Sequence, residues 1–325
     1  MFSKNYIIRT MANNLDTNNT YYSDNEINLK EILDVFWEGK WIIVSVTTLF
    51  SIIALIYSLS LPNIYQSKAL LSPVGEQSGV GSAMQSYGGL ASLAGIELPS
   101  QASGNNSVKA LDKLGSLSFF SDNILPNIFL PDLMATKSWD PRTNTIAYNE
   151  KDFNQETQTW IRDFEYPQTQ IPSAQESFKV FMAEQLKFSQ NKDTGFVTIA
   201  VKHKSPYVAQ AWTELIVREL NYFFRVKDKA EAQTAMNFLN NQIATTSFAE
   251  IKQVIAQLLQ QKTQKLTLIE VSDFYVFDYI DPPAVMEQKV EPQRSIFVVL
   301  GTFLGSILGI FIVLIRQYYF IGKKL

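Results

Sequence analysis

A single histidine, His203, stands between Lys202 and Lys204 in a chain that has no cysteine. One imidazole cannot build a two-histidine metal motif, and the lack of thiols removes disulfides, thiolate ligands and cysteine nucleophiles together. Flanked by lysines, His203 reads as an ordinary strand-end residue, and no Ser-His-Asp arrangement is signalled. A phosphate-cradling loop needs a glycine-rich turn ending in Lys and Ser or Thr. The only Gly-Lys pairs, Gly39-Lys40 and Gly322-Lys323, lack it. Carboxylate pairs for glycoside chemistry are set by the fold, and none sits in a recognisable motif. No catalytic residue, metal or cofactor is therefore expected. The one pattern with a mechanism is Gly301, Gly305 and Gly309, which line one helix face and admit close backbone approach by another helix. That second helix belongs either to the same chain or to another subunit or membrane partner.

These glycines lie in one of two long apolar runs. Trp41 to Leu61 and Ser295 to Ile315 are free of charged residues, and each spans about 31 Å as a helix, the thickness of a hydrocarbon core. The first is preceded by forty residues and exceeds a signal-peptide core in length, so it reads as an uncleaved anchor. Lys30, Lys40, Arg316, Lys323 and Lys324 flank the terminal sides of the runs, against Lys68, Lys289 and Arg294 on the loop side. This bias favours cytoplasmic termini. With 28 Lys and Arg against 31 Asp and Glu, the net charge of -3 offers no attraction for nucleic acid.

The expected fold is α+β: two transmembrane helices flanking a periplasmic α/β base with a long protruding helical hairpin. Residues 1–40 make a cytoplasmic tail and interfacial helix, 41–61 the first span, 62–294 the periplasmic domain, 295–315 the second span and 316–325 a cytoplasmic tail. Residues 1–25 are polar and unpatterned, and 27–37 carry a helical apolar stripe. A strand is expected over 64–71. The Gly-, Ser-, Ala- and Gln-rich stretch 74–107 reads as a mobile or partner-binding loop. A helix is predicted over 108–125, weakened by Gly115, and 131–172 lacks period and is left mostly irregular.

Ser173 and Glu176 form a capping box for a helix running to Gln185, and a hairpin follows at 186–201. Residues 207–281 contain no Gly or Pro. They hold helices over about 207–244 and 248–270, the second opened by a Ser247–Glu250 box. The first half of the long helix is apolar over a wide arc and should pack on the sheet. Beyond Lys227 little remains to bury, so Ala230 and Ala235 are candidate contacts between neighbouring copies. An aromatic-rich strand over 274–280 and the segment with Pro282, Pro283 and Pro292 lead back to the second span.

Leu29-Lys30-Glu31-Ile32-Leu33 before the first span, Ser67-Lys68-Ala69 after it, and the loop Gly88 to Gly95 together resemble the Wzz-type chain-length determinants, polysaccharide co-polymerases of the bacterial inner membrane. Thr194 to Ile199, His203-Lys204-Ser205-Pro206, the long helix and the proline segment up to Arg294 extend the resemblance. The chain departs from the pattern between Ala284 and Glu291, which hold no proline. The resemblance implies a ring-like homo-oligomer that works with a Wzy-type polymerase on a lipid-linked glycan. The role so implied is to set O-antigen or related lipopolysaccharide length without catalysis and without the kinase domain of some relatives. Alternatives are an exopolysaccharide export co-polymerase, a two-span sensor or a periplasmic glycan-processing enzyme.

Overall fold

A computed structural model of the protein describes residues 36–74, 104–271 and 274–321. The polar tail 1–25, all but the end of the 27–37 stripe and the Gly88 to Gly95 loop lie outside them. The chain divides into two compact units: residues up to Ser58 together with those from Arg294 onward, and Leu59–Gln293.

Helix α1 (Lys40–Ser60) leads to strand β1 (Tyr65–Pro73), in which Ser67, Ala69, Leu71 and Pro73 are buried on one face with the period of two of a half-covered strand. Helix α2 (Gly104–Leu114) ends where the sequence predicts a continuous helix. Gly115 weakens the helix, and the Ser116 hydroxyl accepts from Phe119 N at 3.3 Å, capping a new start. Short helical turns continue from there to Asn127.

Residues 131–172 are more ordered than their lack of period suggests. Helix α3 (Leu130–Met134) is followed by the hairpins β2 (Thr136–Asp140) with β3 (Thr145–Tyr148) and β4 (Phe153–Asn154) with β5 (Thr159–Trp160). Strands this short show no usable alternation. They are held by aromatic contacts, Tyr148 to Phe153 at 5.5 Å and Phe153 to Trp160 at 5.3 Å between ring centres. The available signal was in the turn: Asp140 Oδ1 accepts from Arg142 N at 2.9 Å across Pro141, and Asn144 takes φ 52°.

Helix α4 (Ala174–Val180) opens with the capping box expected at Ser173 and Glu176 and continues as a wider turn through Gln185. Strands β6 (Leu186–Gln190) and β7 (Val197–His203) form the expected hairpin, turned at Gly195 with φ 73°. Helix α5 (Pro206–Thr245), 40 residues and about 60 Å long, lays its first half on β1 and β7 through Ala209, Trp212, Ile216 and Leu220. Beyond Phe224 only Ala232 of this helix is buried.

Helix α6 (Ala249–Val271) returns alongside it. The Ser247–Glu250 box does not form among the described residues. Phe248 O instead accepts from Lys252 N at 3.1 Å, so the helix starts one residue later than Ser247 could cap. Strand β8 (Phe277–Asp281) pairs with the free edge of β1, giving an antiparallel sheet in the order β6-β7-β1-β8, and helix α7 (Arg294–Ile321) ends the described chain. Phe119, Phe181, Leu71, Ile199, Ile216 and Phe277 fill the space between this sheet and its helices.

Asn221 is among the polar side chains buried with that core. Asn221 Oδ1 accepts from the amides of Tyr275, Val276 and Phe277 at 3.1, 2.7 and 3.0 Å, and its Nδ2 donates to Phe277 O at 3.0 Å. It therefore fixes the start of β8 against α5. Asn221→Ala leaves these groups unpaired in a buried place, at an expected cost of about 2–4 kcal/mol. Denaturant unfolding of the full chain in detergent, followed by tryptophan fluorescence, checks this; a loss below about 0.5 kcal/mol would show that the clamp is dispensable.

Candidate functional site

Helices α1 and α7 run antiparallel within the first unit, and the three glycines of α7 face α1. A Cβ added at Gly305 would stand 2.8 Å from Phe50 Cβ and 2.9 Å from Thr47 Cα, and one at Gly309 would stand 2.9 Å from Ile43 Cα. At Gly301 it would meet Phe50 O at 3.1 Å and press into the Ala54 methyl. No side chain fits where backbone meets backbone this closely. Thr302 Oγ1 lies 3.4 Å from Ser51 Oγ, and Tyr57 packs on Phe297 at 6.1 Å. The remaining faces are apolar and open, with Ile56 at 63% and Val299 at 66% exposure. Both helices are long and apolar enough to cross a bilayer.

The second unit begins and ends at one place. Ile64 N donates to Glu291 O at 2.9 Å and Val290 N to Ile64 O at 2.8 Å, an antiparallel bridge between the two ends of the unit. Around it, Lys202 pairs with Glu291, and Lys289 Nζ donates to Asn63 Oδ1 at 3.1 Å. The proline segment is tied down further along. Ser67 Oγ donates to Ala284 O at 2.9 Å, and Gln210 Nε2 donates to the carbonyl of the buried Pro283 at 3.3 Å. Pro282 is exposed and Pro292 half-buried. None of these partners is adjacent in sequence, so local pattern gave no sign of them.

At the hairpin, Ala230 is exposed and Ala235 half-buried on α5. Ion pairs cross to α6 and the chain beyond it: Lys229 with Glu270, and Lys265 Nζ with Asp228 Oδ2 at 2.9 Å, where the Tyr275 hydroxyl also donates at 2.6 Å. Burial opposes charge on Asp228, but Tyr275 and Lys265 outweigh it and hold the carboxyl below its usual range. Toward the tip, Phe238, Phe248, Ile251 and Val254 are exposed.

His203 is a strand-end residue but not an ordinary one, being buried against Trp212 with ring centres 5.2 Å apart. Its Nδ1 accepts from Ser205 N at 3.0 Å, which places the ring proton on Nε2, donating to Asp132 O at 3.0 Å. Burial pushes its pKa down despite the Asp132 carbonyl and carboxylate. Burial likewise raises Asp132, whose carboxylate accepts from the Tyr148 hydroxyl at 2.6 Å. The imidazole thus acts as a neutral strut between β7, α3 and the start of α5. Among the described residues no group of three His, Asp or Glu side chains is placed to hold a metal ion.

Two outcomes follow from these contacts. The chain has no cysteine, so Ser51→Cys with Thr302→Cys gives a background-free crosslink. It should form within one chain and be lost when Gly305 and Gly309 are changed to Leu; a crosslink that joins only separate chains would overturn the pairing. For His203, the folded-state pKa lies below the unfolded value of about 6.5. Its stabilising contribution is therefore present above about pH 6.5 and is lost as the pH falls through the folded value. Asp132 works in the opposite sense. His203→Gln should flatten the fall in stability just below pH 6.5, measured as denaturation midpoints against pH; an unchanged slope would refute the assignment.

Residues 25–113 match the family profile described as "Chain length determinant protein", and residues 248–318 match one described as "G-rich domain on putative tyrosine kinase". No curated protein matches the chain. Among solved structures, a full-length bacterial polysaccharide co-polymerase is 14% identical with a TM-score of 0.37, over 88% of this chain and 96% of its own. A fragment of WzzB, the polysaccharide co-polymerase of Salmonella Typhimurium, is 14% identical with a TM-score of 0.30, over 70% of this chain and 100% of its own. One profile covers α1, β1 and nearly all of α2 and the other covers α6, β8 and most of α7, so both ends of the chain resemble the chain-length determinant proteins.

Proposed function

We infer that this chain sets the length of O-antigen or a related lipid-linked glycan as a homo-oligomeric, non-catalytic scaffold in a bacterial inner membrane. In this reading α1 and α7 cross the bilayer, the unit from Leu59 to Gln293 is periplasmic, and a Wzy-type polymerase performs the chemistry. The observation that carries it is the bridge between Ile64 and Glu291. A folded unit whose two ends are bridged near its first and last residues fits a segment that leaves a membrane and returns to it on the same side. The exposed apolar faces of α1 and α7 support the membrane placement, since lipid is the solvent in which such faces carry no penalty. Exposed apolar side chains along the outer hairpin, near Ala230 and Ala235, favour contacts between copies there.

Glycan ladders test the reading. Deleting the gene should change the modal length or broaden the distribution without abolishing polymer, and Ala230→Glu or Ala235→Glu should do the same more weakly. In an amide scan of the Asp and Glu residues of the second unit, no single variant should eliminate polymer. If one does so while the protein stays abundant and correctly assembled, the scaffold reading fails and a glycan-processing enzyme takes its place.

A further inference from the structure

Within the second unit α5 borders a cleft of about 500 Å³ whose lining includes Asn221 of the clamp described above. Glu214, Arg218, Tyr222 and Arg225 follow one another at spacings of four, four and three, so they share one face of the helix. Opposite stand Phe274 and Tyr279, whose rings meet edge to face with centres 5.6 Å apart at 84°. The Asn221 clamp holds this wall in place, because it fixes the amides of 275–277 on α5. Tyr222 is 53% and Phe274 39% exposed, so both present ring surface to the cleft's surroundings.

The chemistry of the lining narrows the ligand. Glu214 and Glu219 balance Arg218 and Arg225, and Arg218 Nε already meets Glu219 Oε1 at 3.3 Å. A site for phosphate or another polyanion would carry a net positive lining. Guanidinium groups only donate and carboxylates only accept, so together they suit a ligand whose groups do both, as hydroxyls do. Burial and the neighbouring Glu214 push the Tyr279 phenol up to about 12, so it remains a neutral hydroxyl at physiological pH. The electron-rich ring faces complement the polarised C–H faces of a pyranose. A second copy of the chain is a poorer occupant, since the buried centres of protein interfaces are depleted in charge. The volume lies within the about 300–1,000 Å³ of ordinary small-molecule clefts.

We propose that this cleft binds a short stretch of neutral saccharide, a segment of the growing glycan, with Tyr222, Phe274 and Tyr279 as stacking surfaces and Arg218, Arg225 and Glu214 as hydroxyl partners. The assignment rests on the polysaccharide reading above and gives the scaffold a direct hold on the polymer.

The test uses full-length protein in lipid nanodiscs and length-fractionated oligosaccharides prepared from the source organism's own surface glycan. Saturation-transfer NMR should show contact to sugar ring protons. Tyr222→Ala with Phe274→Ala should weaken binding at least tenfold, and Arg218→Gln should weaken it by less. Tyr166→Ala, at a fully exposed position remote in sequence from the cleft, should leave affinity unchanged, and sedimentation should show the same assembly for every variant. Absence of binding by the wild-type protein, or undiminished binding by the double variant, overturns the proposal. So does a double variant that alters assembly while keeping its affinity, which would assign the cleft to a second copy. If gene deletion shifts the ladder but no oligosaccharide binds, the cleft assignment falls and the length-setting reading stands. If deletion leaves the ladder unchanged, the length-setting reading falls, and the binding measurements alone decide the cleft.

Discussion

Strand β1 is bonded along both edges, to β7 through the register Tyr65↔His203 to Leu71↔Val197 and to β8 through Pro73↔Phe277. Everything else in the second unit depends on that double pairing. A strand formed at the start of a unit can be central only if the chain returns to it from far along the sequence. Here it does so twice, once after the 186–190 strand and again after the full length of the helical hairpin. Both returns are non-local and must meet their closure entropy before they gain hydrogen bonds. The Ile64–Glu291 bridge extends the second return past the sheet and brings the ends of the unit together.

Polar groups hold the places where these returns dock. Apolar burial drives the sheet and α5 together, but it is non-directional and does not say which carbonyl should face which amide. Asn221 supplies that information at the start of β8, Ser67 at Ala284, and Gln210 at Pro283. His203 does the same where β7 turns into α5, with each ring nitrogen committed to one backbone group. Each of these residues is satisfied by a partner distant in sequence or across a tight turn. Loss of Asn221 or of His203 would leave a buried polar group unpaired. The first unit reaches close contact by the opposite means, removing side chains at Gly301, Gly305 and Gly309 so that backbone meets backbone.

What could be read from the sequence follows from the range of the forces involved. The two long apolar runs, the capping box at Ser173, the 186–201 hairpin and the long helix after Pro206 are local patterns, and local patterns survive in one dimension. The glycine spacing revealed a contact face but not which helix would occupy it. The short hairpins of 136–160 escaped because aromatic pairs, not alternation, hold them. The continuous 108–125 helix failed at Gly115-Ser116, where a serine cap outcompeted propagation, and the Ser247 box failed by a one-residue shift in the turn. The Lys202–Glu291 pair and the Ser67–Ala284 bond were out of reach, because nothing near either residue announces the other. Asn221 was the exception that could have been found. It lies four residues after Val217 and three before Phe224 on a buried face, and a lone polar residue in such a row needs several partners.

The hairpin shows how geometry follows from an uneven distribution of burial. The inner half of α5 is anchored by Trp212, Ile216 and Leu220, whereas its outer half buries Ala232 and little more. A helix pair with so thin a seam gains little apolar stabilisation along its outer length. Crossing ion pairs such as Lys229 with Glu270 add at most about 1 kcal/mol each where exposed. The direction of the hairpin is therefore set at its root, where α5 lies on the sheet and Asn221 and Tyr275 fasten the returning chain to it. Small changes near residues 221–228 would be magnified toward the tip by the length of the lever. A change at this root therefore acts on the whole hairpin, and the charged and aromatic cleft lies there too.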